Sequence, residues 1–251
     1  ALQKKILKRM REYGIEPVLP GYCGMVPHNA KEKLGLNVSD PGTWCGYRRP
    51  AFLQPSDPRF EEISSLYYKE LEKLYGKADF YSMDPFHEGG NTAGVDLDAA
   101  GKAVMKAMKK ANPKAVWVAQ AWQANPRPKM IENLGAGDLL ILDLTSECRP
   151  QWGDSTSEWY RKNGYGQHDW VYCMLLNYGG NVGLHGKMDN VIDNFYLAKA
   201  DPHAGSTLKG VGMTPEGIEN NPVMYELVME LPWRAERFTK EEWLKEYVKA
   251  R

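Results

Sequence analysis

Short apolar runs alternate with longer stretches of helical periodicity along the whole chain, and that alternation leaves few folds open. Apolar runs of strand length fall at 16–22, 80–83, 115–122, 138–144, 170–177 and 207–213. Each is separated from the next by a turn and, in most cases, by a helix-like segment. The run Ala115-Val116-Trp117-Val118-Ala119 is apolar without alternation, as a parallel strand covered on both faces should be. Strand and helix in alternation predict a parallel α/β fold, with right-handed crossovers closing into a barrel or leaving an open doubly wound sheet. No GxGxxG follows a strand and no GxxxxGK[ST] occurs, so an open nucleotide-binding sheet loses its usual support. The expected class is a (β/α)8 TIM-type barrel with about six of its eight strands present. The chain opens on an amphipathic helix over residues 1–13, with Leu2, Ile6, Leu7 and Met10 on one face and Gly14 stopping it. That orphan helix gives the expectation that the first two strands precede residue 1.

Further helices are expected over 57–75, with Ile63, Leu66, Tyr67, Leu71 and Leu74 facing the core, and over 97–111, 128–134, 187–200, 221–230 and 240–249. In the last of these, Trp243, Tyr247 and Val248 share a side. Residues 23–56 are rich in Pro and Gly with little periodicity and read as one long loop beside a site.

Composition narrows function by exclusion. The chain has 251 residues, with 32 acidic and 32 basic side chains scattered rather than blocked. Nothing in that balance would hold a polyanion, so nucleic acid is not expected as a partner. No apolar run reaches the ~18 residues of a membrane span, and the helix-like opening residues are not expected to be a signal peptide. Cys23, Cys45, Cys148 and Cys173 form no CxxC and suit no zinc site, so neither metal nor cofactor is expected. Cys173 reads as a small core residue; Cys23 and Cys45 fall in loops and read as free thiols in preference to a pair.

Two stretches carry the chemistry. Phe80-Tyr81-Ser82-Met83 is cut at Asp84-Pro85, and Phe86-His87-Glu88 follows before the pair Gly89-Gly90. Late in the chain Gly210-Val211-Gly212-Met213 runs into Thr214-Pro215-Glu216-Gly217. Each places a Glu on the loop leaving a strand, which in a (β/α) fold is the active-site face. Two such carboxyls are what a glycosidase needs. Asp143 and Glu147 are acidic residues at another strand end, and Asn177 and Tyr178 lie on a further rim loop; all are candidates for sugar contact. Asp84 is expected to orient backbone or Glu88. The eight Trp and fourteen Tyr suit a site that sets flat rings against sugars, although any one aromatic is more often core.

Several blocks resemble a known family. DPFHEGG at 84–90, AVWVAQAW at 115–122, LLILDLTSE at 139–147, WVYCMLLNYGGNVGLHG at 170–186 and VGMTPEGIENNPVMYELVMELPW at 211–233 are similar, in order, to segments of the family 89 glycoside hydrolases. The resemblance implies a (β/α)8 catalytic domain, here residues 1–234, with 235–251 as the start of a helical domain, and exo-acting, retaining hydrolysis of terminal α-linked N-acetylglucosamine from glycosaminoglycan or mucin-type glycans. By motif position it makes Glu88 the general acid/base and Glu216 the nucleophile. It also puts Trp44 and Trp122 in the sugar pocket, and His87 where some members have Asn. Family members are secreted or periplasmic in bacteria and lysosomal in animals. Burial and the neighbouring Glu216 are expected to keep Glu88 protonated. Two rivals stand beside this reading. One is an inactive or sugar-binding barrel fragment that keeps the motif without a complete pocket; its open sheet edges would make it poorly stable or self-associating. The other is a metal-dependent lyase or an aldolase, which would need Lys or a His/Asp cluster at strand ends.

Overall fold

The computed structural model describes residues 2–176, 186–217 and 221–251. It divides into two compact units, 1–140 and 141–251. The elements in chain order begin with α1 (Leu2–Glu12), β1 (Val18–Pro20), β2 (Met25–Val26), α2 (Ala30–Leu34), β3 (Val38–Ser39) and β4 (Thr43–Trp44). Then come β5 (Tyr47–Arg48), β6 (Ala51–Leu53), α3 (Phe60–Tyr75), β7 (Phe80–Ser82), α4 (Leu97–Ala111), β8 (Val116–Ala121) and α5 (Pro128–Ile131). The chain continues with β9 (Leu139–Asp143), β10 (Asp169–Met174), α6 (Met188–Ala200), β11 (Leu208–Met213), α7 (Pro222–Glu230) and α8 (Lys240–Lys249). Sheet neighbours follow chain order, β1-β7-β8-β9-β10-β11, as a partial (β/α) barrel requires. All six strands expected from the apolar runs are present, each within a few residues of its run.

In the first unit, β1, β7 and β8 pair in parallel, with Leu19 beside Tyr81 and Tyr81 beside Trp117. The pleat sends Tyr81 toward α3, where its ring meets Tyr68 edge-on at 5.2 Å. Ser82 and Asp84, two and four positions from Phe80, therefore take the opposite face. Trp117 is buried, and its Nε1 donates to Met83 O at 2.8 Å, fixing the end of β7 against β8. The ends of α4 are set by Asp96, whose carboxylate accepts from Ala99 N, and by Asn112 before Pro113.

Three expectations are corrected here. Residues 23–56 are not one loop: β2, β6 and β3 form a three-stranded antiparallel sheet, and β4 with β5 forms a hairpin. Strands of two or three residues are too short to show a period. On α3 the buried stripe is Phe60, Ser64, Tyr68 and Leu71, while Leu66 and Leu74 are exposed. Tyr68 takes the inner position because its hydroxyl accepts from Tyr22 N at 3.1 Å. The face of α1 is likewise narrower than expected: Leu7 is buried, but Leu2 and Ile6 are exposed.

In the second unit, β10 and β11 pair in parallel, with a register shift between Trp170 and Val171. Trp170 and Tyr172 are fully buried; Trp170 donates to Ala204 O and Tyr172 to Val191 O. Cys173 is buried, and all four cysteines are free. α8 starts at a complete capping box, Thr239 with Glu242, and Trp243 from α8 donates to Glu230. Val248 is exposed, so it does not share the buried side of Trp243.

Candidate active site

Glu88 sits in a bend that the chain enters at some cost. Beyond β7, Phe86 has φ 63 and Glu88 has φ 50, both left-handed without being glycine, and Gly89 follows at φ 78. Each such non-glycine residue costs on the order of 1–3 kcal/mol and persists where its surroundings fix it. Those surroundings are identifiable. The Phe86 ring packs on Phe52 at 4.6 Å, and Gly90 returns its N–H to Phe86 O at 3.2 Å. A Cβ on Gly90 would lie 2.6 Å from Phe86 Cα, so the return needs glycine. Arg49 Nη2 donates to Glu88 O at 2.8 Å. At the other end of the residue, Trp122 Nε1 donates to Glu88 Oε1 at 3.1 Å. Both the peptide and the carboxyl of Glu88 are thus held by a named donor.

Trp122 follows β8, and its polar edge is turned to Glu88, a contact that the aromatic count could not signal. His87, between Asp84 and Glu88, is half-buried, and its Nε2 is buried without a partner. Burial pulls its pKa down, Glu88 pushes it up, and Arg49 lowers it again. Asp84 accepts from Gln120 N at 2.8 Å, so it orients the backbone leaving β8. Burial pushes its carboxyl up to about 7, with that hydrogen bond opposing.

A cavity of about 360 Å³ opens at the C-terminal ends of β1 and β7. Tyr22, Cys23, Ser82 and Asp84 line it from the strand ends, and Arg49 and Phe52 from the small sheet side. The Tyr22 hydroxyl is buried there without a partner. Glu88, Trp44 and Trp122 are not among its lining residues. Trp44 lies instead on the β4–β5 hairpin, 50% exposed, beside Tyr47 at 77%. Arg48 pairs with Asp40 at 3.0 Å to brace that hairpin. Tyr22 and Arg49 are the residues with most to do here that sequence reading gave no role; an Arg in a Pro- and Gly-rich stretch carries no signal for it.

In the second unit, Asp143 and Glu147 are buried rather than open to solvent at a rim. Glu147 Oε1 accepts from Leu175 N at 3.1 Å, and Asn194 donates to Ser146 O and Glu147 O. Burial raises Asp143 to about 6 and Glu147 to about 7. The Tyr165 hydroxyl and the Thr145 N–H lie near Asp143 without reaching hydrogen-bond geometry with its oxygens. Glu216 is exposed, three residues past β11. Thr214 pins that exit, its N–H and its hydroxyl both donating to Met174 O, at 3.0 and 3.1 Å. Asn177 and Tyr178 lie outside the described residues. Among the described residues there is no group of three or more His, Cys, Asp or Glu that could hold a metal, and no helix long and apolar enough to cross a membrane.

Comparison with known proteins points one way. Residues 1–235 match the family model described as the alpha-N-acetylglucosaminidase tim-barrel domain. Human alpha-N-acetylglucosaminidase is 37% identical over 249 residues, covering 93% of this chain and 32% of the human protein. A family 89 glycoside hydrolase from Clostridium perfringens, solved with 2-acetamido-1,2-dideoxynojirmycin, superposes with a TM-score of 0.84 at 32% identity. The match covers 97% of this chain and 27% of the clostridial one. A Clostridium perfringens variant with two Glu-to-Gln substitutions, solved with its substrate GlcNAc-alpha-1,4-galactose, gives 0.84 at 31% identity, over 98% of this chain and 27% of that one. The chain therefore spans about a third of the human relative's length and about a quarter of the clostridial chains.

Proposed function

Because the chain belongs to the alpha-N-acetylglucosaminidase tim-barrel family, we propose that it carries the two-carboxylate machinery of a retaining exo-glycosidase acting on terminal α-linked N-acetylglucosamine. Glu88 is the general acid/base and Glu216 the nucleophile. In this chemistry one carboxyl protonates the leaving oxygen while the other attacks the anomeric carbon. Water then releases the sugar with the first carboxyl acting as base. Retention requires the two carboxyl groups to come about 5–5.5 Å apart around the sugar. The observation that carries the reading is the bend at Glu88: a strained, left-handed glutamate whose peptide and carboxyl are each held by a separate donor. A solvated loop glutamate has no use for that expense. The clostridial relative bound to its substrate carries two Glu-to-Gln substitutions, which supports chemistry resting on two glutamates.

The substrate class follows the relatives: a glycan ending in α-linked N-acetylglucosamine, such as the disaccharide held by the clostridial enzyme. Trp44, Trp122, His87, Asp143, Glu147, Asn177 and Tyr178 remain assigned to the surroundings of that sugar. Trp122 acts through its hydrogen bond to Glu88, and Asp143 and Glu147 act from buried positions behind the strand ends. Cleavage by two carboxylates needs no metal or cofactor. The family match ends at residue 235, which supports 1–234 as barrel.

The test is turnover of an aryl α-N-acetylglucosaminide by the wild-type chain, E88Q and E216Q. E216Q should abolish it. E88Q should lose about 10²–10⁴-fold on a poor leaving group and much less on a nitrophenol. A variant within tenfold of wild type on both substrates refutes its assigned role. The alternative reading is sugar binding without turnover, by a barrel that keeps the motif without a complete pocket. Calorimetric binding of N-acetylglucosamine by a chain that hydrolyses neither substrate would select it.

A further inference from the structure

Arg49 bridges two features that the catalytic reading treats separately. Its backbone N–H donates to Gly42 O at 2.9 Å, and its Nε donates to Thr43 O at 3.4 Å. These bonds close the base of the β4–β5 hairpin, which presents the Trp44 and Tyr47 rings to solvent. From the same guanidinium, Nη2 reaches Glu88 O at 2.8 Å. The planar fork of arginine can hold two carbonyls in fixed relation, which the single point of a lysine cannot. Glu88 is the residue with φ 50, so its carbonyl direction and its side-chain direction are set by the same backbone bend. Releasing the carbonyl frees the bend and, with it, the carboxyl that meets Trp122.

We propose that Arg49 is a positioning residue: it ties the base of the aromatic hairpin to the Glu88 peptide and so sets the bend from which the Glu88 carboxyl meets the Trp122 indole. A pyranose resting on the exposed hairpin rings is then linked to Glu88 through one side chain. Its consequence for turnover rests on Glu88 being the acid/base; the tie itself does not.

The test uses ¹H–¹⁵N spectra of the full 251-residue chain, with the Trp122 indole signal assigned by its loss in W122F. E88A, lacking the acceptor, marks the signal position without the bond. R49M keeps the aliphatic volume and removes the fork. It should move the Trp122 signal at least halfway toward the E88A position, and R49K should move it less. A Trp122 signal unmoved in R49M overturns the proposal. So does an unfolded spectrum of R49M, since a positioning residue leaves the fold standing. In an active chain R49M should lower kcat about tenfold or more, with KM little changed. A wild-type chain that shows the Trp122–Glu88 signal but no hydrolysis refutes the glycosidase reading and leaves the Arg49 tie in place.

Discussion

Replacing Asp84 by Asn should stabilise the protein at neutral pH and leave it unchanged in acid. In the folded chain Asp84 is pushed from 3.8 up to about 7 by burial. The folded state therefore holds a proton that the unfolded state releases, across the interval between those two values. Stability falls as pH rises wherever the folded state binds more protons. The cost is thus absent below about pH 4, grows through the interval and is complete above pH 7. A shift of about 3 units at 1.36 kcal/mol each sets a ceiling of about 4 kcal/mol. Asn keeps an oxygen for the Gln120 N–H, which Asp84 now accepts at 2.8 Å, so the substitution removes the ionisation and little else. Urea unfolding followed by circular dichroism at pH 4, 5.5, 7 and 8 reads the effect. With an m-value of about 2 kcal/mol/M, the D84N midpoint should exceed wild type by up to about 2 M at pH 8 and match it at pH 4. Asp143 and Glu147, raised to about 6 and about 7, remain in both proteins, so both curves slope the same way and their difference isolates Asp84. A D84N advantage that is independent of pH, or largest in acid, refutes the reasoning.

Two further outcomes follow from single contacts. W122F keeps a ring but removes the donor to Glu88 Oε1; a hydrogen bond to the charge that develops on Glu88 as it gives up its proton is worth about 1.5–3 kcal/mol, so kcat/KM should fall about 10- to 150-fold. A fall smaller than threefold would show that the bond does not matter in the transition state. Gly101 lies inside α4, where Ala would ordinarily add up to about 1 kcal/mol of stability, but a Cβ there would overlap the Met130 carbonyl. G101A should instead cost about 1–3 kcal/mol in urea unfolding, and a gain would contradict the α4–α5 packing.

How far the sequence carried depends on the length of the signal. Runs such as 115–122 and 138–144 fill whole strands, so the order of elements could be read directly, as could the helix breaks at Gly76 and Asn112. The small sheet over 25–53 could not, because two-residue strands leave no pattern. The inner face of α3 was misplaced because Tyr68, with a polar tip, displaces Leu66 and Leu74 from the core by bonding Tyr22 N. At the site, the motif marked Glu88, but the left-handed φ values of Phe86 and Glu88 belong to residue types that do not advertise them. Asp143 and Glu147 show the same limit: an acid at a strand end reads as a candidate for sugar contact, and its depth of burial has no signal in the sequence.

The central claim is that Glu88 and Glu216 carry out a double displacement, and its most direct test is the stereochemistry of the first product. Proton spectra recorded during hydrolysis of an aryl α-N-acetylglucosaminide distinguish the anomers before mutarotation mixes them. Two inversions at the anomeric carbon predict that α-N-acetylglucosamine forms first and the β anomer grows in later. The β anomer forming first would mean a single displacement by water, and would contradict Glu216 as nucleophile.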